Sequence, residues 1–114
     1  MIAQGDVCWA DLPHPIGSEP GYRRPVVVVQ GESFNRGRIR TVVCVALTTN
    51  LHWVDAPGNV LLHAHSTGLP QDAVANASQI VTLDRSMLSD PVWPISARQL
   101  LLIMAGIDIM LGRV

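Results

Sequence analysis

Two valine-rich runs constrain the fold of this chain more than any other feature of its sequence. The segment from Pro25 to Gln30 contains four consecutive valines, and the segment from Thr41 to Leu47 is a second nearly unbroken apolar run. β-Branched side chains favour extended strands, and an apolar run without polar alternation indicates a strand that is buried on both faces. A polar, glycine-containing connection separates the two runs, so we expect them to pair antiparallel.

Further strand-like segments are Asp6 to Asp11, Asn59 to Leu62 and Ser78 to Leu83. Between the first two predicted strands, Leu12 to Tyr22 contains three prolines and two glycines, which predicts a loop. Ser96 is a suitable N-cap for a terminal helix from Ala97 to Leu111. That helix is apolar on most faces, so we expect it to be buried against the sheet and a second subunit. Five strands and one helix predict a single mainly β (α+β) domain over residues 1–114, most simply a small, partly open barrel.

Charge and cysteine content narrow the class of protein. The net charge is −1 and the pI about 6.4, which argues against a strong nonspecific nucleic-acid binder. All the basic residues except histidine are arginines, and most lie between positions 23 and 40, either as one positive face or as solvated charge in loops. Cys8 and Cys44 lie in strand-like segments and are predicted to be reduced core residues. No secretory signal or membrane-spanning segment is apparent, which predicts a cytoplasmic protein.

The candidate chemistry lies at two strand ends. Arg23-Arg24-Pro25 precedes the first valine run, and Leu47-Thr48-Thr49-Asn50 ends the second apolar run. A guanidinium is a planar, permanently charged fork and threonine is a short neutral donor, so the pair suits a phosphodiester.

Other reaction types have less support. There is no nucleophile elbow and no glycine-rich phosphate loop, and the scattered carboxylates disfavour a two-metal nuclease, so no cofactor or metal is predicted. His14 and His52 are possible proton shuttles but more often solvated loop histidines, and His63 and His65, expected on one face of a strand, are weak metal-ligand candidates. RNA supplies its own 2′-hydroxyl as nucleophile, so an arginine and a threonine suit RNA cleavage better than DNA cleavage.

The order of short motifs along nearly the whole chain resembles one family. These motifs are Gly5-Asp6-Val7, Gly17-Ser18-Glu19, Arg24-Pro25-Val26-Val27-Val28, Leu47-Thr48-Thr49, Gly68-Leu69 and Gln79-Ile80. They are similar to those of the MazF/PemK/Kid endoribonuclease toxins of bacterial toxin-antitoxin pairs.

That resemblance implies an SH3-like barrel with a terminal helix, a homodimer, and sequence-specific, metal-independent cleavage of single-stranded RNA. It implies that Arg24 and Thr48 are the catalytic positions and that Ser18, Glu19 and Gln79 line the RNA groove. Their neighbours Arg23, Thr49 and Asn50 are further candidate RNA contacts. Glu19 is the nearest acidic candidate for a general base, or else orders its loop by pairing with an arginine.

The resemblance also implies an antitoxin partner, whose acidic disordered tail would lie across the RNA groove. Two other readings stay open. The related CcdB-type toxins have the same fold and poison DNA gyrase without catalysis, and an inactive homologue that binds RNA or sequesters an antitoxin is also possible. The combination of Arg24 and Thr48 favours the nuclease.

Overall fold

The computed structural model describes residues 1–114 and has one antiparallel sheet with a C-terminal helix. The strands are Asp6–Asp11 (β1), Arg23–Val28 (β2), Thr41–Thr48 (β3), Val60–Leu62 (β4), Ala73–Asp84 (β5) and Trp93–Pro94 (β6). The helices are Glu32–Asn35 (α1), Ala64–Thr67 (α2) and Ala97–Met110 (α3), with 3₁₀ turns at Leu51–Asp55 and Arg85–Met87. The strand order is β4-β5-β3-β2-β1-β6. The predicted mainly β fold with a terminal helix is confirmed.

The two valine-rich strands lie in the middle of the sheet and are buried on both faces, as predicted. Val27 and Val29 belong to the apolar cluster beneath α3, which also contains Ile103 and Ile107. Val26 and Val28 point to the opposite face, where a second cluster is covered by residues of the N-terminal segment and the second 3₁₀ turn. β2 pairs antiparallel with β3, as expected. The alternation of side chains along one strand therefore contributes to two cores.

Both cysteines lie in the second cluster as free, buried thiols, which confirms the prediction of reduced core residues. Burial raises the pKa of Cys8 to about 11, with a further contribution from Asp6. Burial also raises the pKa of Cys44, to about 12. Since the thiolate is the reactive form, both side chains are inert at neutral pH.

The terminal helix begins where the sequence predicted and packs on the sheet along one face. Ser96 and Gln99 form a reciprocal capping box, and α3 packs on β4 and β5. Ile103, Gly106 and Ile107 are the buried residues of the helix. Exposed apolar side chains on α3 and just beyond it are Leu101, Leu102, Ile109, Met110 and Leu111. The apolar character all round α3 is therefore not explained by burial within one chain. None of the helices has the length and apolar character needed to cross a membrane.

Several predicted boundaries were wrong. β5 begins at Ala73, before the predicted Ser78, and the short edge strand β6 was missed. His63 and His65 are not on a strand, because β4 ends at Leu62 and α2 follows directly. The residues near these boundaries include proline, glycine and histidine and do not alternate between apolar and polar. No strand pattern in the sequence therefore marked the boundaries.

Helix α3 is in close backbone contact with the turn before β4 at a pair of glycines. Gly58 has a left-handed φ of 84°, and a side chain on Gly106 would overlap the backbone carbonyl of Gly58. Since only hydrogen atoms fit between the two backbones, the C-terminal half of α3 lies directly against the segment that enters β4. This contact brings the end of α3 to the cavity described below.

Candidate functional site

Antiparallel pairing of β2 and β3 brings the two motif residues to the same end of the sheet. Val26 pairs with Ala46 and Val27 with Val45, so continuing this register places Arg24 opposite Thr48. Both residues line one open cavity of about 640 Å³. Residues 24 apart in the sequence are thus neighbours across two strands, and a single group bound in the cavity can reach both.

The loop between β1 and β2 forms a second wall of this cavity. Hydrogen bonds between Leu12 N–H and the Tyr22 carbonyl (2.9 Å) and between Tyr22 N–H and the Pro13 carbonyl (3.4 Å) close the loop at its base. Ser18 and Glu19 line the cavity, and Gln79 Nε2 donates to the Ser18 carbonyl at 3.1 Å. The three residues that the resemblance assigned to the groove are therefore brought together with Arg24 and Thr48.

Glu19 also shapes its own loop. Its Oε1 accepts a hydrogen bond from the Ile16 backbone N–H at 2.7 Å, whereas Oε2 has no partner within the chain. The carboxylate pairs with a backbone amide, and the expected alternative of an ion pair with an arginine is not observed. Glu19 is the one acidic side chain that lines the cavity.

Arg24 presents a largely uncommitted guanidinium to the cavity. Its Nε donates to the Gly21 carbonyl at 3.3 Å, and neither terminal nitrogen has a partner within the chain. The side chain is half-buried and forms no salt bridge, while the following Pro25 is fully embedded in the sheet. The two free terminal nitrogens can therefore bind two oxygens of one phosphate group.

Thr48 has a free donor. Its Oγ1 accepts a hydrogen bond from Asn50 N–H at 3.1 Å, which leaves the hydroxyl hydrogen available to a ligand. Asn50 in turn caps the first 3₁₀ turn, because its side chain accepts from His52 N–H at 3.1 Å. Thr49 and Asn50 are exposed and do not line the cavity. The Asn50 side chain therefore has a structural role as a cap, in addition to its candidate role in RNA contact.

Arg23 points away from Arg24, as strand alternation requires. Its guanidinium forms an ion pair with Asp11 at 3.1 Å and lies 5.4 Å from the centre of the Trp9 ring. Asp11 and Arg23 are paired across β1 and β2. The structure does not bring Arg23 into the cavity, and its partners give it a role in holding these two strands together.

The remaining arginines of the 23–40 segment do not form one positive face with Arg24. Arg36 lies 4.0 Å from Glu32, and Arg40 lies 3.9 Å from Asp84. Arg24 is the one arginine that lines the cavity. Arg38 is exposed and has no acidic partner, so of the two distributions left open by the sequence the structure supports solvated charge in loops.

A β-bulge carries the predicted Gln79 together with two polar residues, Asn76 and Ser78, that the sequence prediction missed. β3 and β5 pair at Val45 with Ile80 and next at Leu47 with Ala75, so residues 76–79 bulge out of the ladder. Asn76, Ser78 and Gln79 from this bulge line the cavity. Asn76 Oδ1 accepts hydrogen bonds from the amide and hydroxyl of Ser78, which stabilises the bulge. Bulges commonly redirect side chains next to functional sites.

Two further cavity residues come from the segment after β3. Trp53 and Asn59 line the wall opposite the β1–β2 loop, together with Met110 of α3. The sequence offered one signal that Trp53 belongs to the site: it is an aromatic residue in a loop shortly after Thr48. Nothing in the sequence marked Asn59, whose side chain bonds the Trp53 carbonyl and the Ala77 amide.

The histidines do not join this site. His14 and His52 pack edge-on against Tyr22 and Trp53, and neither lines the cavity. His63 and His65 stack with ring centres 5.7 Å apart, and His63 Nδ1 lies 3.4 Å from Asp72. A hydrogen bond from the Ala64 amide lowers the pKa of Asp72, with a smaller contribution from His63. No group of three or more histidine, cysteine, aspartate or glutamate side chains is arranged to hold a metal ion.

Comparison with known proteins yields consistent matches over most of the chain. The model of the family described as PemK-like, MazF-like toxin of type II toxin-antitoxin system matches residues 3–111. Endoribonuclease MazF2 of Mycobacterium bovis is 42% identical over 97 residues, which are 85% of each chain. The structure of MazF from Deinococcus radiodurans superposes with a TM-score of 0.81 at 25% identity, covering 97% of this chain and 96% of that one. A mycobacterial endoribonuclease in complex with its cognate antitoxin gives a TM-score of 0.72 at 25% identity, covering 97% and 93%.

Proposed function

Because the chain belongs to the PemK-like, MazF-like toxin family of type II toxin-antitoxin systems, we propose that it is an endoribonuclease that cleaves single-stranded RNA at specific sequences. The observation that carries this proposal is the placement of Arg24 and Thr48 side by side in one open, polar cavity. The name of the Mycobacterium bovis relative supports the same activity. The gyrase-poison alternative has no comparable support. A protein that poisons gyrase without catalysis does not require Arg24 and Thr48 to be neighbours.

The reaction follows from the chemistry of RNA. The 2′-oxygen attacks the adjacent phosphorus, a bond forms between them, and the bond from phosphorus to the 5′-oxygen of the next nucleotide breaks. The proton leaves the 2′-hydroxyl and the departing 5′-oxygen gains one, so the products are a 2′,3′-cyclic phosphate and a 5′-hydroxyl. Since RNA provides the nucleophile, no metal-bound water is required.

Arg24 and Thr48 act on the charge that develops on the phosphate. The two free nitrogens of Arg24 neutralise the non-bridging oxygens, and the Thr48 hydroxyl adds a directed hydrogen bond. A guanidinium has donors and no acceptor, so Arg24 is a poor base for the 2′-hydroxyl proton. Glu19 is the acidic residue of the cavity, and its free Oε2 is suited to accept that proton while Oε1 holds the loop.

Cleavage of a long RNA in the presence of a chelator tests this proposal. We expect cleavage at discrete sites, with 2′,3′-cyclic or 3′-phosphate ends and 5′-hydroxyl ends identified by end-specific labelling and mass spectrometry. A single 2′-deoxy nucleotide at the cut site removes the nucleophile, and the matched oligonucleotide with the 2′-hydroxyl is the control. Fragments with 5′-phosphate ends, or loss of activity in chelator, would contradict the mechanism.

The partner that restrains the toxin is proposed to be an antitoxin with an acidic, disordered tail lying across the same cavity. A site that accepts phosphates through Arg24 also accepts carboxylates, and a disordered tail wraps a surface while remaining easy to degrade. The solved complex of the mycobacterial endoribonuclease with its cognate antitoxin supports a partner of this kind.

Competition between this tail and RNA is the expected result. The tail peptide should displace a fluorescent RNA that carries a 2′-deoxy nucleotide at the cut site, and its affinity should fall as salt screens the charges. A peptide of the same length in which Asn and Gln replace Asp and Glu is the control, and it should not displace the RNA. Simultaneous binding of both ligands with undiminished affinities would contradict a shared site.

We also propose a homodimer that acts in the cytoplasm, where its RNA substrate is found. The exposed apolar face of α3, with Leu101, Leu102 and Ile109, supports self-association, because monomeric proteins rarely expose contiguous apolar surface of this kind.

A further inference from the structure

Trp53 is the aromatic side chain of the cavity, and nearly half of its surface is exposed. Its exposed fraction is 48%, although the other residues lining the cavity are mostly polar or small. Exposed indole surface is costly in water unless a ligand covers it. The ring lies in the same cavity as Arg24 and Thr48, five positions after Thr48 in the chain.

The backbone of Trp53 is anchored rather than loose. Its carbonyl oxygen accepts hydrogen bonds from Asn59 Nδ2 at 2.9 Å and from Ala56 N–H at 3.1 Å. Asn59 Oδ1 in turn accepts from Ala77 N–H at 2.9 Å, which ties the 3₁₀ turn to the bulge of β5. The His52 ring packs against the indole edge-on, with centres 5.6 Å apart. An aromatic plane held in this way loses little conformational freedom when a ligand stacks on it.

We propose that Trp53 stacks on one unpaired nucleobase of the RNA, next to the phosphate bound by Arg24 and Thr48. This inference rests on the proposed endoribonuclease function. Every nucleobase has a π-face, so aromatic stacking is tolerant of sequence but requires a base that is free of its own helix. Trp53 therefore contributes to single-strand selection, and the choice of sequence is left to the polar groups of the cavity.

The probe for this inference is an oligoribonucleotide that spans a cleavage site mapped on the long RNA and carries a 2′-deoxy nucleotide at the cut position. We expect Trp53→Leu to weaken its binding by about tenfold, the size of one base–aromatic stack, and Trp53→Phe to retain most of the affinity. Trp93→Leu is the matched control, because Trp93 is exposed to a similar degree (55%) but lies outside the cavity. Its affinity should equal that of the unmodified protein.

Two further readouts separate stacking from a loss of structure. RNA should quench more tryptophan fluorescence in the unmodified protein than in Trp53→Phe. The difference between the two proteins is the quenching of Trp53. A scan of abasic nucleotides should reveal one position at which loss of the base weakens binding to the unmodified protein but not to Trp53→Leu. That position is the stacked base.

The outcomes distinguish this inference from the function on which it rests. If the unmodified protein fails to cut RNA, the endoribonuclease proposal fails. If it cuts RNA and Trp53→Leu binds as well as the unmodified protein, stacking is overturned while the function stands. Stacking is also overturned if Trp53→Leu changes the sedimentation of the free protein, since Trp53 would then be a subunit contact.

Discussion

Replacing Arg24 with alanine is expected to lower the rate of RNA cleavage by at least about 100-fold at saturating RNA, the usual effect of removing one preorganised donor for developing charge. Arg24 is half-buried and lines the cavity, and its terminal nitrogens have no partner within the chain. Nothing else in the cavity carries a positive charge that would compensate for its loss. The rate constant for cleavage in single-turnover experiments measures this effect.

Arg23→Ala is the matched control for Arg24. The two residues are adjacent, yet Arg23 pairs with Asp11 and lies over Trp9, outside the cavity. We expect Arg23→Ala to weaken RNA binding slightly and to leave the rate at saturating RNA nearly unchanged. Arg24→Lys should restore only part of the rate, because an ammonium group lacks the planar fork. Equal losses of rate in Arg23→Ala and Arg24→Ala would show that the catalytic role is wrongly assigned.

Replacing Gly106 with alanine is expected to destabilise the fold by about 1–3 kcal/mol, as overpacking of a tight core contact does. Helix propensity alone predicts the opposite, a gain of up to about 1 kcal/mol. The structure decides the sign, because the added methyl group would overlap the Gly58 carbonyl, a backbone atom that cannot rotate away. Urea unfolding at fixed protein concentration measures the change in the free energy of unfolding.

The neighbouring helix position gives the control. Ala105 is exposed on α3 within one chain, so Ala105→Gly should destabilise the protein by about 0.5–1 kcal/mol through helix propensity, with no overlap at Gly58. A stabilised Gly106→Ala variant would mean that α3 does not approach the 58–59 segment as closely as described. Activity should fall with stability in this variant, because the end of α3 supplies Met110 to the cavity.

The central strands and the terminal helix could be predicted because their signals are local. Valine runs specify β2 and β3, and Ser96 with Gln99 specifies the start of α3. β5 was predicted only in part, because the bulge at residues 76–79 interrupts its alternation with polar side chains. A bulge is stabilised by its partner strand and by Asn59, and neither is visible in a local pattern.

The candidate site was likewise predicted only in part. Arg24 and Thr48 were identified by residue type and by position at strand ends, and Ser18, Glu19 and Gln79 by resemblance to a family. The opposite direction of Arg23 follows from strand alternation once β2 is known to begin at Arg23, which the sequence prediction placed at Pro25. Trp53 and Asn59 were not predicted, since their place in the cavity depends on how the 3₁₀ turn packs against β5.

Local sequence specifies the central strands, the start of the terminal helix, and the residue types available for phosphate chemistry. These properties depend on backbone preference and on side-chain chemistry, which each residue carries with it. Which of the candidate residues lie together in the cavity depends on the packed fold. The antiparallel register sets Arg24 opposite Thr48, the bulge turns Gln79 toward Ser18, and the glycine contact brings Met110 to the cavity. These placements depend on contacts between residues far apart in the chain, and no local sequence pattern encodes those contacts.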